Sequence, residues 1–316
     1  MRHSPLLFVL PLVGCALACA ASKADDGSCT TGGDCPSGAC GPGGRCVVVD
    51  SGVGDGLVSD SGVDSAPATD SASDAPKSDT PSIGCTPNGD FVISPAELPL
   101  GPGLRATYRI AKSATVDTAG VAQPDGTRKW DFSAKLSGDT DTLVETLSPT
   151  GAWWAADFSG ATYAVALSSS SDLLGVFSLD ATALSLRGVV SPTAAAPQTK
   201  LAYATPIPAV KLPLSLDLAW TATSNVTGTA SGVAAFYTES YDVKVDAKGK
   251  AVTPFGEFSV LRLRTVLTRT VGALPTVTRT YGFVAECFGT VATITSNANE
   301  PSAEFTTAAE LRRLAP

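Results

Sequence analysis

The chain has 316 residues, of which 44% are hydrophobic and 16% are charged, and this composition excludes a protein that is disordered or membrane-embedded throughout. Its single histidine is His3, inside a predicted export signal, so the mature chain is expected to lack every histidine-dependent triad, zinc site and proton shuttle. Acidic residues outnumber basic ones by 30 to 22, and no nucleic-acid partner is predicted. No Walker A, G-x-S-x-G or G-x-G-x-x-G motif is present.

The N-terminus predicts secretion and a lipid anchor. Arg2 precedes an apolar run at 6–14 that is too short to cross a bilayer as a helix. The following Leu12-Val13-Gly14-Cys15 resembles the lipobox of bacterial lipoproteins, which implies a signal peptide at 1–14 and a lipid-modified Cys15. Because Ala16 rather than Asp follows Cys15, bacterial sorting rules imply anchoring in the outer membrane, facing either the periplasm or the exterior.

Two alternatives to Cys15 remain open. Cys19 ends a second lipobox-like stretch, gives a more usual signal length and leaves an even number of other cysteines. An ordinary signal peptide cleaved at a small-residue site near residue 19 would instead release a secreted protein without lipid.

A cysteine-rich knot follows the anchor segment at 15–28 and occupies 29–46. Four cysteines among many Gly, Ser and Pro residues cannot bury a core, so two disulfides are predicted to order this segment. A four-thiolate zinc site is the alternative, but the spacing lacks the usual C-x-x-C pairs and the compartment is oxidising. The cysteines concerned are Cys29, Cys35, Cys40 and Cys46.

An acidic, disordered linker is predicted at 47–84. Its Asp residues alternate with Ser, Gly, Ala and Pro, and such a segment cannot offset the entropy of ordering. Residues 25–84 carry ten Asp against Arg45 and Lys77, whereas residues 85–316 carry 20 acids against 18 bases. The acidity of the protein therefore belongs to the stalk.

The globular domain at 85–316 is predicted to be all-β. Apolar residues alternate with polar ones at 233–246, 258–270 and 276–286, with turns predicted at 247–250 and 272–275. These strands form an antiparallel meander in a sandwich or a curved half-barrel, and only 306–314 has a helical pattern, predicting one short C-terminal helix. Earlier strands are predicted at 106–110, 127–136, 161–168, 173–179 and 183–190.

A pairing of Cys85 with Cys287 is predicted in this domain. They are its only cysteines, and Cys287 has the same parity as the apolar face of 277–285. Since the knot can satisfy itself locally in an oxidising compartment, a disulfide should tie the domain entrance to the sheet.

Two resemblances to known families bear on function. The knot resembles the short Cys-rich segments of uncharacterised lipoproteins from myxobacteria-type bacteria, and this likeness extends over the domain, including Trp153-Trp154 and the stretches 172–177 and 285–290. Residues 253–264 (TPFGEFSVLRLR) resemble a strand of envelope lipoprotein families, some of which are similar to half-barrel lipid carriers of the LolA/LolB type. These resemblances imply location and a curved sheet, and they transfer no catalytic residue.

Three groups of side chains are candidates for binding. Residues 86–97 resemble a degraded EF-hand loop with Asn88, Asp90 and Glu97 as calcium ligands. Thr86 replaces the first Asp and Phe91 replaces the turn glycine, and an Asn-Gly turn is the alternative. Arginines on neighbouring strands could form a cationic row for phosphate or sulfate, or simply a solvated face. Aromatic residues could stack on sugars, or lie in the core. The arginines are Arg262, Arg264, Arg269 and Arg279, and the aromatics are Trp153, Trp154, Tyr203 and Trp220.

These observations predict a non-enzymatic, lipid-anchored envelope protein. Its β domain would bind a ligand, a lipid or another envelope component, with no cofactor. The alternative is a histidine-free hydrolase, such as a glycosidase, that uses two carboxylates. The acids available for it include Asp131, Asp157, Asp172 and Glu286.

Overall fold

The computed structural model describes residues 85–316 and two short paired strands, β1 (Cys40–Gly41) and β2 (Arg45–Cys46). The predicted signal peptide, anchor segment and linker, and the side chains of the knot cysteines, lie outside the described residues. The remaining strands are β3 (Val92–Ile93), β4 (Arg105–Thr115), β5 (Val121–Ala122), β6 (Arg128–Asp131), β7 (Thr140–Glu145), β8 (Tyr163–Ser168), β9 (Ser171–Leu179), β10 (Ala183–Val190), β11 (Lys200–Lys211), β12 (Leu214–Ser215), β13 (Ala219–Ala230), β14 (Val233–Val252), β15 (Glu257–Val271), β16 (Leu274–Ala285), β17 (Gly289–Ser296) and β18 (Thr307–Ala315).

One 14-stranded sheet dominates the domain. Twelve of its strands follow the order β7-β4-β18-β17-β16-β15-β14-β13-β11-β10-β9-β8, and β5 and β6 join the sheet beside β14. Strand β6 pairs parallel with β14 and antiparallel with β5, and β12 pairs with β3 in a small separate sheet. Leu147, just after β7, exchanges two backbone hydrogen bonds with Ala164 of β8, at 2.7 and 2.9 Å. The sheet therefore curves until its two ends nearly meet, which confirms the all-β class and the half-barrel alternative.

Period-two alternation gives this sheet an inner and an outer face. On β14 the inner face carries Tyr241, Val243 and Val245, each at most 1% exposed. The outer face is covered by the segment around β6, where Trp130 and Phe132 pack edge-on against Phe283 with ring centroids 5.0 Å apart. The hydrophobic core therefore lies on both sides of the central strands.

The predicted turn at 247–250 is wrong, because β14 continues through it to Val252. A bulge between Val245 and Ala247 shifts the register there. Gly249 lies under β6, and a Cβ atom on it would meet the carbonyl oxygen of Arg128 at 1.8 Å. The glycine in this sequence thus permits a close backbone approach rather than a change of direction.

The predicted C-terminal helix at 306–314 is also wrong. These residues form β18, which is hydrogen-bonded to β17 on one side and β4 on the other. A central strand buried on both faces loses its alternating pattern, so short apolar runs read equally well as helix. Buried ion pairs of Arg312 with Glu310 and of Arg313 with Asp139 compensate the charges that this strand takes into the core.

A disulfide joins Cys85 to Cys287, the pair predicted from the sequence, with Cα atoms 5.7 Å apart. The amide of Cys287 also donates to the carbonyl of Glu97 at 2.8 Å, which fixes the entrance segment against the end of β16. Over the described residues no helix is long and apolar enough to pass through a bilayer.

Candidate functional site

A cavity of about 410 Å³ opens at one end of the half-barrel, where neighbouring strands are joined by turns. This end, the mouth, is formed by the β10–β11 loop at 191–199 and by the tips of the β13–β14 and β15–β16 hairpins, around Gly232 and Gly272. The β10–β11 loop and the first hairpin are bonded together, since Gly232 donates to the carbonyl of Gln198 at 2.7 Å. The volume falls within the range of small-molecule sites.

The cavity wall is formed by strands β9, β11, β13, β14, β15 and β16 and by the β10–β11 and β13–β14 connections. Antiparallel pairing places Arg269 opposite Thr276 and Leu267 opposite Thr278, so apolar and hydroxyl side chains lie side by side. The apolar lining residues are Leu173, Pro197, Leu201, Ala230, Leu267, Val271 and Leu274, and the hydroxyl-bearing ones are Ser171, Ser191, Thr199, Ser231, Tyr237, Thr276 and Thr278. The wall can thus contact an apolar body and also bind polar groups.

A buried carboxylate organises the polar part of this wall. Glu239 of β14 is 0% exposed. Its Oε2 accepts hydrogen bonds from the hydroxyls of Tyr203 at 2.6 Å and Tyr241 at 2.5 Å, and its Oε1 accepts from Arg269 Nε at 2.8 Å. Four side chains from strands β11, β14 and β15 therefore form one hydrogen-bonded cluster, which bridges across the intervening β13. Arg269 is the member of the cluster that lines the cavity.

Burial sets the protonation of the tyrosines. It raises the pKa of Tyr203 and of Tyr241 well above the usual value, and the neighbouring Glu239 raises both further. Burial likewise raises the pKa of Tyr237 to about 12. These phenols therefore stay protonated at neutral pH, so those of Tyr203 and Tyr241 act as donors to Glu239 and not as bases.

The cavity lining carries one guanidinium, that of Arg269, whose carbon lies 4.9 Å from the ring centroid of Tyr237. The ion pair with Glu239 fixes its position, so little ordering is required when a ligand arrives. A planar guanidinium beside hydroxyl groups suits the oxygen atoms of a carboxylate, phosphate or polyol head group. The arrangement favours an amphiphile with its polar end against Arg269.

A second buried carboxylate lies near the mouth. Glu310 accepts from Ser169 Oγ at 2.6 Å and from Arg312 Nε at 2.6 Å. Burial alone would raise the pKa of Glu310, but Arg312 and Ser169 more than offset it, and the pKa lies below its usual value. This ionised carboxylate holds the β8–β9 turn against β18.

The predicted cationic row does not form. Arg262 is 5% exposed and pairs with Asp246 and Glu304 while its guanidinium lies over Tyr281. Arg264 faces Asp242 at 3.8 Å, and Arg279 donates to the carbonyl of Glu300 at 3.0 Å. These three lie on the outer face, opposite to Arg269, and each binds an acid or carbonyl of the chain itself.

The predicted aromatic residues lie mostly in the core. Trp154 is 2% exposed and packs against Phe158, and Trp153 donates its indole N–H to the carbonyl of Ser191 at 3.0 Å. Trp220 donates to the carbonyl of Pro208 at 2.8 Å. Of the aromatics considered, Tyr203 belongs to the cavity cluster.

The three calcium candidates do come together, but through hydrogen bonds. Asn88 Nδ2 donates to Asp90 Oδ2 at 3.2 Å and to Glu97 Oε1 at 3.0 Å. Glu286 accepts from the amides of Asn88 and Gly89, at 2.7 and 2.8 Å. Within the described part of the chain, no group of three or more acidic, histidine or cysteine side chains is arranged to hold a metal ion.

The candidate hydrolytic acids each have a separate environment. Hydrogen bonds from Ser133 lower the pKa of Asp131, and Asp157 pairs with Lys200 at 2.9 Å. Glu286 binds the entrance loop, and Asp172 is exposed at the cavity rim.

Glu239 is the site residue that the sequence interpretation missed. It occupies an inner-face position of β14, on the same parity as Tyr237, Tyr241 and Val243. The signal that could have identified Glu239 is an acidic residue at a position that alternation assigns to the buried face of a strand. A carboxylate is buried only when hydrogen-bond or ion-pair partners compensate it.

No family model, curated protein or solved structure matches the chain. The likeness to envelope lipoproteins and half-barrel lipid carriers therefore stays a prediction from sequence motifs. The site is defined by its geometry.

Proposed function

We propose that this chain is a lipid-anchored, non-enzymatic protein of the outer membrane whose β domain binds an amphiphilic small molecule. The observation that carries the proposal is the cavity at the mouth, with apolar residues along its wall and Arg269 fixed by Glu239 within it. The cluster contains no histidine and no poised nucleophile, and its tyrosines are fully protonated, so binding accounts for it better than catalysis.

The lipobox-like sequence supports the anchor. We expect the wild-type chain to incorporate a fatty-acid analogue when it is expressed in a bacterial host that processes lipoproteins. The single variants Cys15→Ala and Cys19→Ala should show which cysteine is used, and the double variant should lose the label completely, because only these cysteines follow a signal-like apolar run. A double variant that still carries the label would contradict the proposal.

Filling the cavity should abolish ligand binding. Thr276 lines the cavity from β16, and Thr276→Trp places an indole in the space that the ligand would occupy. The matched control is Thr268→Trp, on neighbouring β15 but on the outer face. Titration with an apolar fluorescent probe should show uptake by the wild-type chain and by Thr268→Trp, and a loss of uptake in Thr276→Trp.

Two results would contradict this proposal. Equal uptake by both tryptophan variants would place the probe elsewhere, and no uptake by the wild-type chain would favour a structural or protein-binding role. Circular dichroism of both variants verifies that the sheet is intact, so that loss of uptake is not loss of fold.

A further inference from the structure

Four large apolar side chains at the mouth are exposed to solvent and lie outside the hydrophobic core. Val233 and Phe236 of the β13–β14 hairpin are 69% and 67% exposed, and Val271 and Leu274 of the β15–β16 hairpin are 49% and 76% exposed. All four lie within a few residues of the two turns. Since β14 and β15 are paired, these hairpins project side by side from the same end of the sheet.

The three connections that build the mouth carry no charged side chain, although Asp172 lies at the cavity rim and Arg269 inside the cavity. Residues 188–199, 226–238 and 270–278, which build the three connections of the mouth, contain no Asp, Glu, Lys, Arg or His. The rest of the domain is not like this, because residues 85–316 as a whole carry 20 acids and 18 bases. Transfer of these hairpins out of water costs little desolvation free energy, because they are uncharged and their polar side chains are mainly Ser and Thr. Burial of the exposed Phe, Leu and Val is favourable.

The shape of this surface favours a bilayer over a protein partner. A standard protein interface uses roughly 20–30 residues on each side, whereas the mouth offers four large apolar side chains on projecting turns. Projecting apolar tips can enter the boundary between lipid head groups and acyl chains without a complementary surface. Val271 and Leu274 also line the cavity, so the tips and the cavity opening form one continuous apolar surface.

We propose that the mouth hairpins, residues 230–236 and 271–275, insert into the surface of a lipid bilayer, which places the cavity opening against the membrane. The attraction is apolar, because the hairpins carry no charge. Binding is therefore expected to be independent of anionic lipid and of salt. This membrane contact is separate from the N-terminal lipid anchor and does not require a ligand in the cavity.

A local reporter tests the insertion in the full-length chain carrying Cys15→Ser and Cys19→Ser, so that no lipid anchor contributes. Phe236→Trp places an indole on the β13–β14 tip. The matched control is Phe255→Trp. Phe255 is 45% exposed and lies in the turn at the other end of β14, about 50 Å away along the strand. With phosphatidylcholine vesicles brominated in their acyl chains, we expect the Phe236→Trp fluorescence to be quenched and that of Phe255→Trp to be unchanged.

A second set of variants measures the affinity. Phe236→Ser and Leu274→Ser should each weaken binding to phosphatidylcholine vesicles by about tenfold or more, and Phe255→Ser should leave it unchanged. Equal quenching at both reporter positions, or none at either, would overturn the proposal. Binding that requires phosphatidylglycerol or disappears at high salt would also overturn it, as would a dimer in ultracentrifugation that Phe236→Ser or Leu274→Ser dissociates.

Discussion

Replacing Glu239 by glutamine should lower the free energy of unfolding by about 3–5 kcal/mol, among the largest effects expected of any single substitution in the domain. The carboxylate is fully buried and compensates Arg269, whose side chain is only 14% exposed. Without it, a guanidinium charge remains in the core and two buried tyrosine hydroxyls lose a charged acceptor. Urea denaturation of the full-length chain measures the change.

A control on the surface isolates the effect of burial. Glu257 pairs with Lys129 at 3.2 Å, and both side chains are nearly half exposed. Glu257→Gln should therefore change stability by less than about 1 kcal/mol. The double variant Glu239→Gln, Arg269→Met should recover part of the loss, because it removes the uncompensated charge. If Glu239→Gln proves as stable as the wild-type chain, the cluster does not hold the cavity wall.

Breaking the bond between Cys85 and Cys287 should destabilise the domain by up to roughly 5 kcal/mol, since the bond closes a loop with a sequence separation of 202 residues. The disulfide stabilises the domain mainly by restricting the unfolded chain. Breaking it also releases the entrance segment from β16, which adds to the loss of stability. The double variant Cys85→Ser, Cys287→Ser, compared with the wild-type chain in urea denaturation without reductant, measures this contribution.

Alkylation tests the bond directly. The protein is denatured without reductant and treated with an alkylating reagent, and peptides containing Cys85 and Cys287 are identified by mass spectrometry. Both should remain unmodified unless reductant is added first. Alkyl groups on both cysteines in the unreduced sample would show two buried thiols and would remove the loop-closure argument.

Several strands with one apolar face were predictable from the sequence, although β7, β11 and β13 were not found. The predicted segment 183–190 coincides with β10, and the meander of β14, β15 and β16 was found from its alternation. Strands β17 and β18 were missed as strands because they are buried on both faces, where alternation disappears. The turn at 247–250 failed because the role of Gly249 depends on β6, which is more than a hundred residues earlier in the chain.

The site was less predictable than the fold. A cationic row was inferred from four arginines, but Arg269 lies on the opposite face of the sheet from the other three. Asp246 and Glu304 compensate Arg262, and Asp242 compensates Arg264. Glu239 stood on an apolar parity and was overlooked, although its position implied buried partners. The cavity itself depends on the curvature of the sheet, which arises from twist and pairing across the whole domain.

The occupancy of the cavity in the isolated protein is the most direct measure of ligand binding. Protein isolated under mild conditions from the envelope of cells that express it, as the wild-type chain and as Thr276→Trp, is extracted with organic solvent and the extract is analysed by mass spectrometry. We expect one class of amphiphile, near one molecule per chain, in the wild-type extract and its loss from the Thr276→Trp extract. Two results would contradict ligand binding in the cavity. One is a wild-type extract without a bound amphiphile, and the other is an equal amount of the same amphiphile from both proteins, leaving aside the lipid of the N-terminal anchor.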